Sequence, residues 1–230
     1  MKIIFHGHSC IELRLDDGTI LLVDPWILGN PQSDIDLNFK CDAILVTHGH
    51  AHHSGDMITL SQRNQAPIIG MAELVHYAET NGAVPGHPMD LGGQWTFPFG
   101  TIKTTHAQHS SSLDIDGLPI YMGEACGFLV MADHQTIYVA GDTSNFGDMA
   151  LFGSAYHINT AILPIGDNYT MGPNAAASAA KRVKADFVIP VHFNTYPDIR
   201  QDPAAFTKLL PDGVVQVLAP GEEFQIPNQH

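Results

Sequence analysis

The chain is short of three things: long apolar runs, basic residues and cysteine. No segment of its 230 residues sustains the roughly 18 to 20 apolar positions of a membrane helix, so no spanning helix is expected. Ten lysines and arginines stand against 24 acidic residues, and the formal charge of −14 sets up a field that repels nucleic acid and anionic membrane. Small-molecule substrates are favoured. A pair of divalent cations can make one site electropositive inside an acidic protein, so a small phosphate ester stays within that class. Cys10, Cys41 and Cys126 are odd in number and widely spaced, which argues against a disulfide framework and a CxxC zinc ribbon and predicts reduced, packed thiols. Also missing are a Gly-x-Ser-x-Gly elbow, a cysteine beside a histidine cluster and a Gly-x-x-x-x-Gly-Lys-Ser/Thr loop, and no convincing Gly-x-Gly-x-x-Gly follows a strand. These absences argue against serine and cysteine nucleophiles and against nucleotide-binding folds.

What is present is a chain 44% hydrophobic, long enough for one sizeable core, and it is expected to form a single domain over residues 1–230. Its start, Met1 to His6, runs into strand-like sequence without a signal-peptide layout, which predicts a cytoplasmic location. Strand and helix signals then alternate without a linker or repeat. Ile11 to Leu15 and Ile20 to Val23 flank the turn Asp16-Asp17-Gly18-Thr19 and predict a hairpin, ended by Asp24-Pro25. A strand over Ala43 to Val46, a helix from Met57 to Arg63, a strand near Pro67 to Ile69 and a helix from Met71 to about Thr80 follow. Asn81 to Gly93, rich in glycine and proline, reads as a long loop. Further strands are predicted near Thr101–Thr105, Ala125–Met131, Thr136–Ala140, Ala161–Pro164, Phe187–Val191 and Val214–Leu218, with an alanine-rich helix over Pro173 to Lys184. Two strand-rich halves, each followed by helices, imply two sheets face to face with helices outside.

The most informative stretch is Thr47-His48-Gly49-His50-Ala51-His52-His53, with four imidazoles in six positions directly after an apolar strand. Strand ends opening into loops are common places for functional groups on a rigid scaffold. Alternation puts His48 and His50 on one side, while His52 and His53 fall where the chain turns toward a second metal position. A solvated histidine-rich loop is the bland alternative; a purification tag would sit at a terminus, and this cluster is internal. His109, Asp142 and His192 each follow a predicted strand in the second half, and His106 lies nearby. Singly each reads as a loop histidine or a capping aspartate. Together with the first cluster they read as a metal site.

The order His48-x-His50-x-His52-His53, His109, Gly141-Asp142-Thr143, His192 resembles the metallo-β-lactamase superfamily. Phe5-His6-Gly7-His8-Ser9-Cys10, His109-Ser110-Ser111-Ser112, the run Leu163 to Pro173 and Ile189 to Thr195 look like the bacterial metal-dependent hydrolases related to ascorbate-6-phosphate lactonase. The resemblance implies an α/β fold, a four-layer αββα sandwich, with a dinuclear metal site at one edge of the sheets. By position it implies that His48, His50 and His109 hold one metal, that His53 and His192 hold the second, and that Asp142 bridges both. The implied chemistry is hydrolysis of a small ester, lactone or phosphoester by metal-bound hydroxide, a phosphodiesterase being the nearest alternative. A nuclease of the same superfamily is disfavoured by the charge. His106 has no counterpart in the motif and reads as structural.

Position 52 departs from the family pattern, which has aspartate there as a ligand of the second metal. His52 then either ligates, leaves the second site weak, or swings out, and the last two outcomes would make this a catalytically impaired metal-binding protein. His52 and Asp142 are the candidate catalytic residues. The implied cofactors are two divalent ions, zinc first because of the many imidazoles, with manganese, iron or nickel as alternatives. Asn168 and Asn194 are candidate substrate-binding residues, with turn-stabilising roles equally open. His6 and His8 read as buried residues at a strand end rather than proton donors or partners of the site. The resemblance makes a homo-oligomer reasonable.

Overall fold

The structure is a computed structural model that describes residues 1–227. The first part of the chain supplies β1 (Lys2–Phe5), β2 (Ile11–Arg14), β3 (Ile20–Val23), β4 (Ala43–Leu45), α1 (Ala51–Ser54), α2 (Met57–Asn64), β5 (Ile68–Met71), α3 (Ala72–Thr80) and β6 (His87–Met89). The second part supplies β7 (Gln94–Phe97), β8 (Gly100–His106), β9 (Ser112–Ile115), β10 (Leu118–Tyr121), β11 (Cys126–Ala132), β12 (Gln135–Val139) and α4 (Met149–Ala155). It ends with β13 (Thr160–Pro164), α5 (Pro173–Val183), β14 (Phe187–Val191), a 3-10 turn at Pro197–Ile199, α6 (Pro203–Thr207) and β15 (Glu223–Gln225).

Two sheets result, ordered β15-β1-β2-β3-β4-β5-β6 and β14-β13-β12-β11-β8-β7, while β9 and β10 pair as a separate hairpin. The side-chain period of two explains why the strands are apolar on both faces. Leu21, Val23 and Leu45 point between the sheets to meet Phe128, Val130, Val139 and Ile162. Their neighbours Leu22 and Ile44 point outward onto Met57 and Leu60 of α2 and Leu74 of α3. Leu129, Tyr138 and Leu163 of the other sheet face Ala176, Ala180 and Val183 of α5. The four layers are helix, sheet, sheet and helix. Pro173 opens α5 at its first turn, and Lys184 closes it in the left-handed conformation (φ 54°).

Three details differ from the sequence reading. Asn81 to Gly93 is not all loop, because His87–Met89 adds parallel to β5 as an edge strand, with Ile69 opposite His87 and Met71 opposite Met89. Proline lacks an amide donor and is tolerated at an edge, and the composition of this segment hid the strand. Val214 to Leu218 forms no strand, only the bridge from Val215 to Val188. His52 and His53 lie in α1, which begins before the predicted Met57 helix, and so they point from a helical turn rather than a loop. Strands β7, β9, β10 and β15 and helices α4 and α6 are only three to seven residues long, too short for a period to stand out in the sequence.

Candidate metal centre

At one end of the sandwich the strand ends of both sheets open toward each other. The β4 end delivers Thr47 to His50. Thr47 carbonyl oxygen accepts from the Cys126 amide of the other sheet at 3.0 Å, which ties the two halves together beside the site. Asp142 arrives through Gly141, whose φ of +64° and packing against Cys126 and Thr47 leave no room for a β-carbon. His192 follows β14 with a φ of +55°, and its amide donates to His8 carbonyl oxygen at 2.7 Å. Gly166 lies against the His192 backbone so closely that a side chain there would displace it.

Asp142 Oδ2 stands among four imidazoles: 3.0 Å from His192 Nε2, 3.2 Å from His53 Nε2, 3.6 Å from His109 Nε2 and 3.9 Å from His48 Nε2. Donor atoms of one tetrahedral cation with bonds of about 2.0–2.1 Å are separated by roughly 3.3 Å, so these spacings suit shared coordination. The Asp142 contacts with His53 and His192 are close enough for ion pairing but misaligned for hydrogen bonds. Both Asp142 carboxylate oxygens, His53 Nε2 and His192 Nε2 are buried without a hydrogen-bond partner. Each such orphan costs about 1–3 kcal/mol, a penalty that a bound cation would relieve. The residues fit a metal.

Donor atoms mutually within 4.8 Å form three overlapping groups: His48, His50 and His109; His48, His52, His53 and Asp142; and His8, His52, His53 and His192. All seven metal ligands expected from sequence therefore converge. His52 is turned inward, with its ring 4.7 Å from that of His53 and 5.5 Å from that of His50, so it has not swung out.

Electrostatics prepares the donors. Burial holds the imidazoles of His48 and His8 well below their ordinary pKa, with neighbouring His53 and His192 adding to the effect respectively. Burial, reinforced by His109, brings His50 down to about 4, and burial with His53 brings His52 to about 2. Burial lowers His109 as well. These rings are neutral near pH 7 and offer lone pairs. His53 goes the other way: burial opposes its charge, but Asp142 and Asp24 outweigh it and push the imidazole up to about 10. For Asp142, burial is overcome by His192 and His53, which hold the carboxyl well below its usual range.

Asp24 is a group the sequence reading missed as part of the site. Its Oδ2 is 2.9 Å from His53 Nδ1 and accepts from Thr47 Oγ1 at 2.7 Å, while its Oδ1 accepts from the Thr47 amide at 2.8 Å. It is 1% exposed and has a φ of +47°. A buried carboxylate behind a ligand histidine fixes the ring and raises its basicity. The signal was present as an aspartate at the end of an apolar strand, read there only as a strand terminator.

The second correction concerns His8, which does not extend a strand end. It is buried in the turn after β1 (φ 56°), with its ring 4.2 Å from that of His192. His6 does suit the strand-end reading, with Nε2 3.2 Å from Glu12 Oε2 and Nδ1 2.8 Å from Asp34 Oδ1. His106 is exposed at the end of β8 and packs edge-on against Phe146. Asn194 is exposed, and its Oδ1 accepts from the Gln201 amide at 2.9 Å; Asn168 lines an open cleft with Asp167, Asp198 and Gln201. Neither lines the cavity over the histidines. That cavity, about 430 Å³, is bounded by His50, His52, His109 and Asp142 below and by Ser110, Ser112, Asp114, Pro119 and Tyr169 at its rim.

Residues 19–193 match the family model described as a beta-lactamase superfamily domain. A UPF0173 metal-dependent hydrolase of Enterococcus faecalis is 51% identical over 223 residues, covering 96% of this chain and 98% of that protein. The chain belongs to the UPF0173 metal-dependent hydrolases. A UPF0173 relative from Geobacillus is 46% identical over 228 residues, covering 98% of this chain and all of the relative. Igni18, a metallo hydrolase from the archaeon Ignicoccus hospitalis, superposes with a TM-score of 0.86 at 33% identity and covers 98% of this chain and 99% of its own. The UPF0173 chain thus has the metallo-β-lactamase fold, and its histidine and aspartate clusters lie where the two sheets open. No helix among the described residues is long and apolar enough to cross a membrane.

Proposed function

We propose that this protein is a dinuclear hydrolase of small esters or lactones, with zinc as the metal best matched to its nitrogen-rich donors. The observation that carries the reading is the placement of Asp142 Oδ2 within 3.0–3.9 Å of His48 and His109 from one proposed ligand set and of His53 and His192 from the other, where one carboxylate could serve both. His48, His50 and His109 would hold one cation and His52, His53 and His192 the other, with Asp142 between them. When bound, the pair supplies Lewis acidity and lowers the pKa of a coordinated water toward about 7.

The chain's own groups do the rest. His50, His52 and His109 border the cavity and present the centre to it, while His53 and His192 form its buried floor. Ser110 Oγ lies 3.4 Å from His50 Nε2, and it and Tyr169 give the rim hydroxyls that can orient a polar substrate. Asp114 is held by the Gly117 amide at 2.9 Å and places a carboxylate at the same rim. The cavity volume is that of a small-molecule site, and the net charge of −14 disfavours polyanions. His52, turned toward its neighbours, supports the reading in which it serves as a ligand.

Elemental analysis of the purified chain and of His52→Asp, with turnover on lactone, carboxylic ester and phosphodiester panels, tests this. Two metals per chain with lactone or ester turnover is the expected result. One metal or none in the unmodified chain, with binding and activity gained in His52→Asp, would overturn it in favour of an impaired metal-binding protein.

A further inference from the structure

Beyond the ligands implied by family position, one imidazole is built into the same end of the sandwich. His8 is fully buried, and its Nε2 has no hydrogen-bond partner. Its donor atom lies within 4.8 Å of donors from His52, His53 and His192, in a group that contains no carboxylate. The other ring nitrogen is committed. His8 Nδ1 is 2.9 Å from Thr195 Oγ1, and the Thr195 hydroxyl has the Gln32 side-chain carbonyl and the Phe193 backbone carbonyl to donate to, each at 3.4 Å. With its own proton directed there, Thr195 accepts from Nδ1–H, which leaves the lone pair on Nε2.

The turn itself is locked. His8 amide donates to the same Gln32 carbonyl at 3.2 Å, His8 carbonyl oxygen receives the His192 amide at 2.7 Å, and a β-carbon on Gly7 would collide with Gln32. The ring is wedged against Trp26, 5.1 Å between centroids. A buried nitrogen lone pair left without a partner beside three other imidazoles is costly unless a bound group satisfies it.

We propose that His8 is a metal ligand, completing with His52, His53 and His192 a four-imidazole cage around the second cation. This rests on the dinuclear reading above and adds an asymmetry to it. Counting the shared Asp142, this cation would have five protein donors, one more than the cation of His48, His50 and His109, so the second position is the more fully enclosed of the two. Substrate would then meet the less enclosed first cation, and His8 would help hold the second in the floor. The replacement of a carboxylate by His52 follows the same logic, because His8 already makes this half of the centre nitrogen-lined.

The test is titration of the metal-free full chain with cobalt(II), followed by visible absorption and by calorimetry, for the unmodified protein, His8→Gln and Thr195→Val. The unmodified chain should bind two equivalents. In His8→Gln one equivalent should weaken at least about tenfold, and its visible bands should change in position and intensity as a nitrogen donor is lost, while the other is unchanged. Thr195→Val, which keeps the imidazole but removes the group that orients it, should weaken the same equivalent several-fold. Two equivalents of unaltered affinity and spectrum in His8→Gln would overturn the assignment while leaving the dinuclear reading intact. A single equivalent in the unmodified chain would remove both. Should His8→Gln fail to fold, Thr195→Val decides: unchanged binding in that variant overturns the assignment.

Discussion

The floor of the metal centre and the rim above it are built on opposite terms. On the floor, His53, Asp24, Asp142 and His192 are at most 2% exposed, and Asp24 alone takes three polar contacts from two residues. On the rim, the β9–β10 hairpin pairs only with itself, and Leu118 and Tyr121 are 63% and 57% exposed. The floor is over-determined, so its geometry is set before any ligand arrives. The rim is under-determined, and its side chains can be exchanged without disturbing the chemistry below. On the proposed function, reaction type and substrate choice would be carried by different parts of the molecule.

The largest effect should come from the floor's centre. Asp142→Asn keeps the shape but removes the only carboxylate in the clusters of donors; metal affinity is expected to fall by more than about 100-fold and turnover to vanish, as read by elemental analysis and assay. Asp24→Asn, one step behind, should cost about 10–100-fold in metal affinity, with the fold retained by circular dichroism. If Asp24→Asn left affinity untouched, the floor would not be over-determined.

Proton linkage sharpens the contrast. His48, His50, His52 and His8 are held neutral in the metal-free fold, so the unfolded chain takes up protons that the folded one refuses as pH falls from about 6.5, and stability should decline with acidification. His53, raised to about 10, has the opposite sign: its stabilisation is complete below about 6.5 and is lost as pH rises through about 10. Thermal melts of the metal-free chain should thus lose stability at both ends. Cation binding near pH 7 should release the His53 proton, measurable as a buffer-dependent heat.

The smallest effect belongs to the rim. Pro119→Ser, at the rim on the same hairpin, should leave metal content unchanged and stability within about 0.5 kcal/mol, while shifting KM more than kcat on a substrate that the protein turns over. A change in metal content would merge the two regions that the geometry keeps apart.

The same division governs how much could be read from sequence. The sheets and the histidine run were legible because buried strands repeat apolar residues and because His48 to His53 are contiguous. His109, Asp142 and His192 were legible as part of the site only together with that run. His8 and Asp24 were not, since their roles depend on a fold that brings residue 8 to residue 192 and residue 24 to residue 53. Strands β7, β9 and β10 were missed because each is only four residues long, too short for the alternation in Gln94-Trp95-Thr96-Phe97 or Ser112-Leu113-Asp114-Ile115 to stand out. Asn168 and Asn194 were chosen for chemistry that many turn residues share, and Asn194 is occupied with its own turn.

The donors come from both sheets: His48 through His53 follow β4, while His109, Asp142 and His192 follow β8, β12 and β14. A cation held among them is also a rivet across the seam of the sandwich, for the layers cannot part there without tearing it out. At a thousand times its dissociation constant, each bound ion would add about 4 kcal/mol of resistance to unfolding. Metal supply would then set the lifetime of the protein against heat and proteases as well as its turnover.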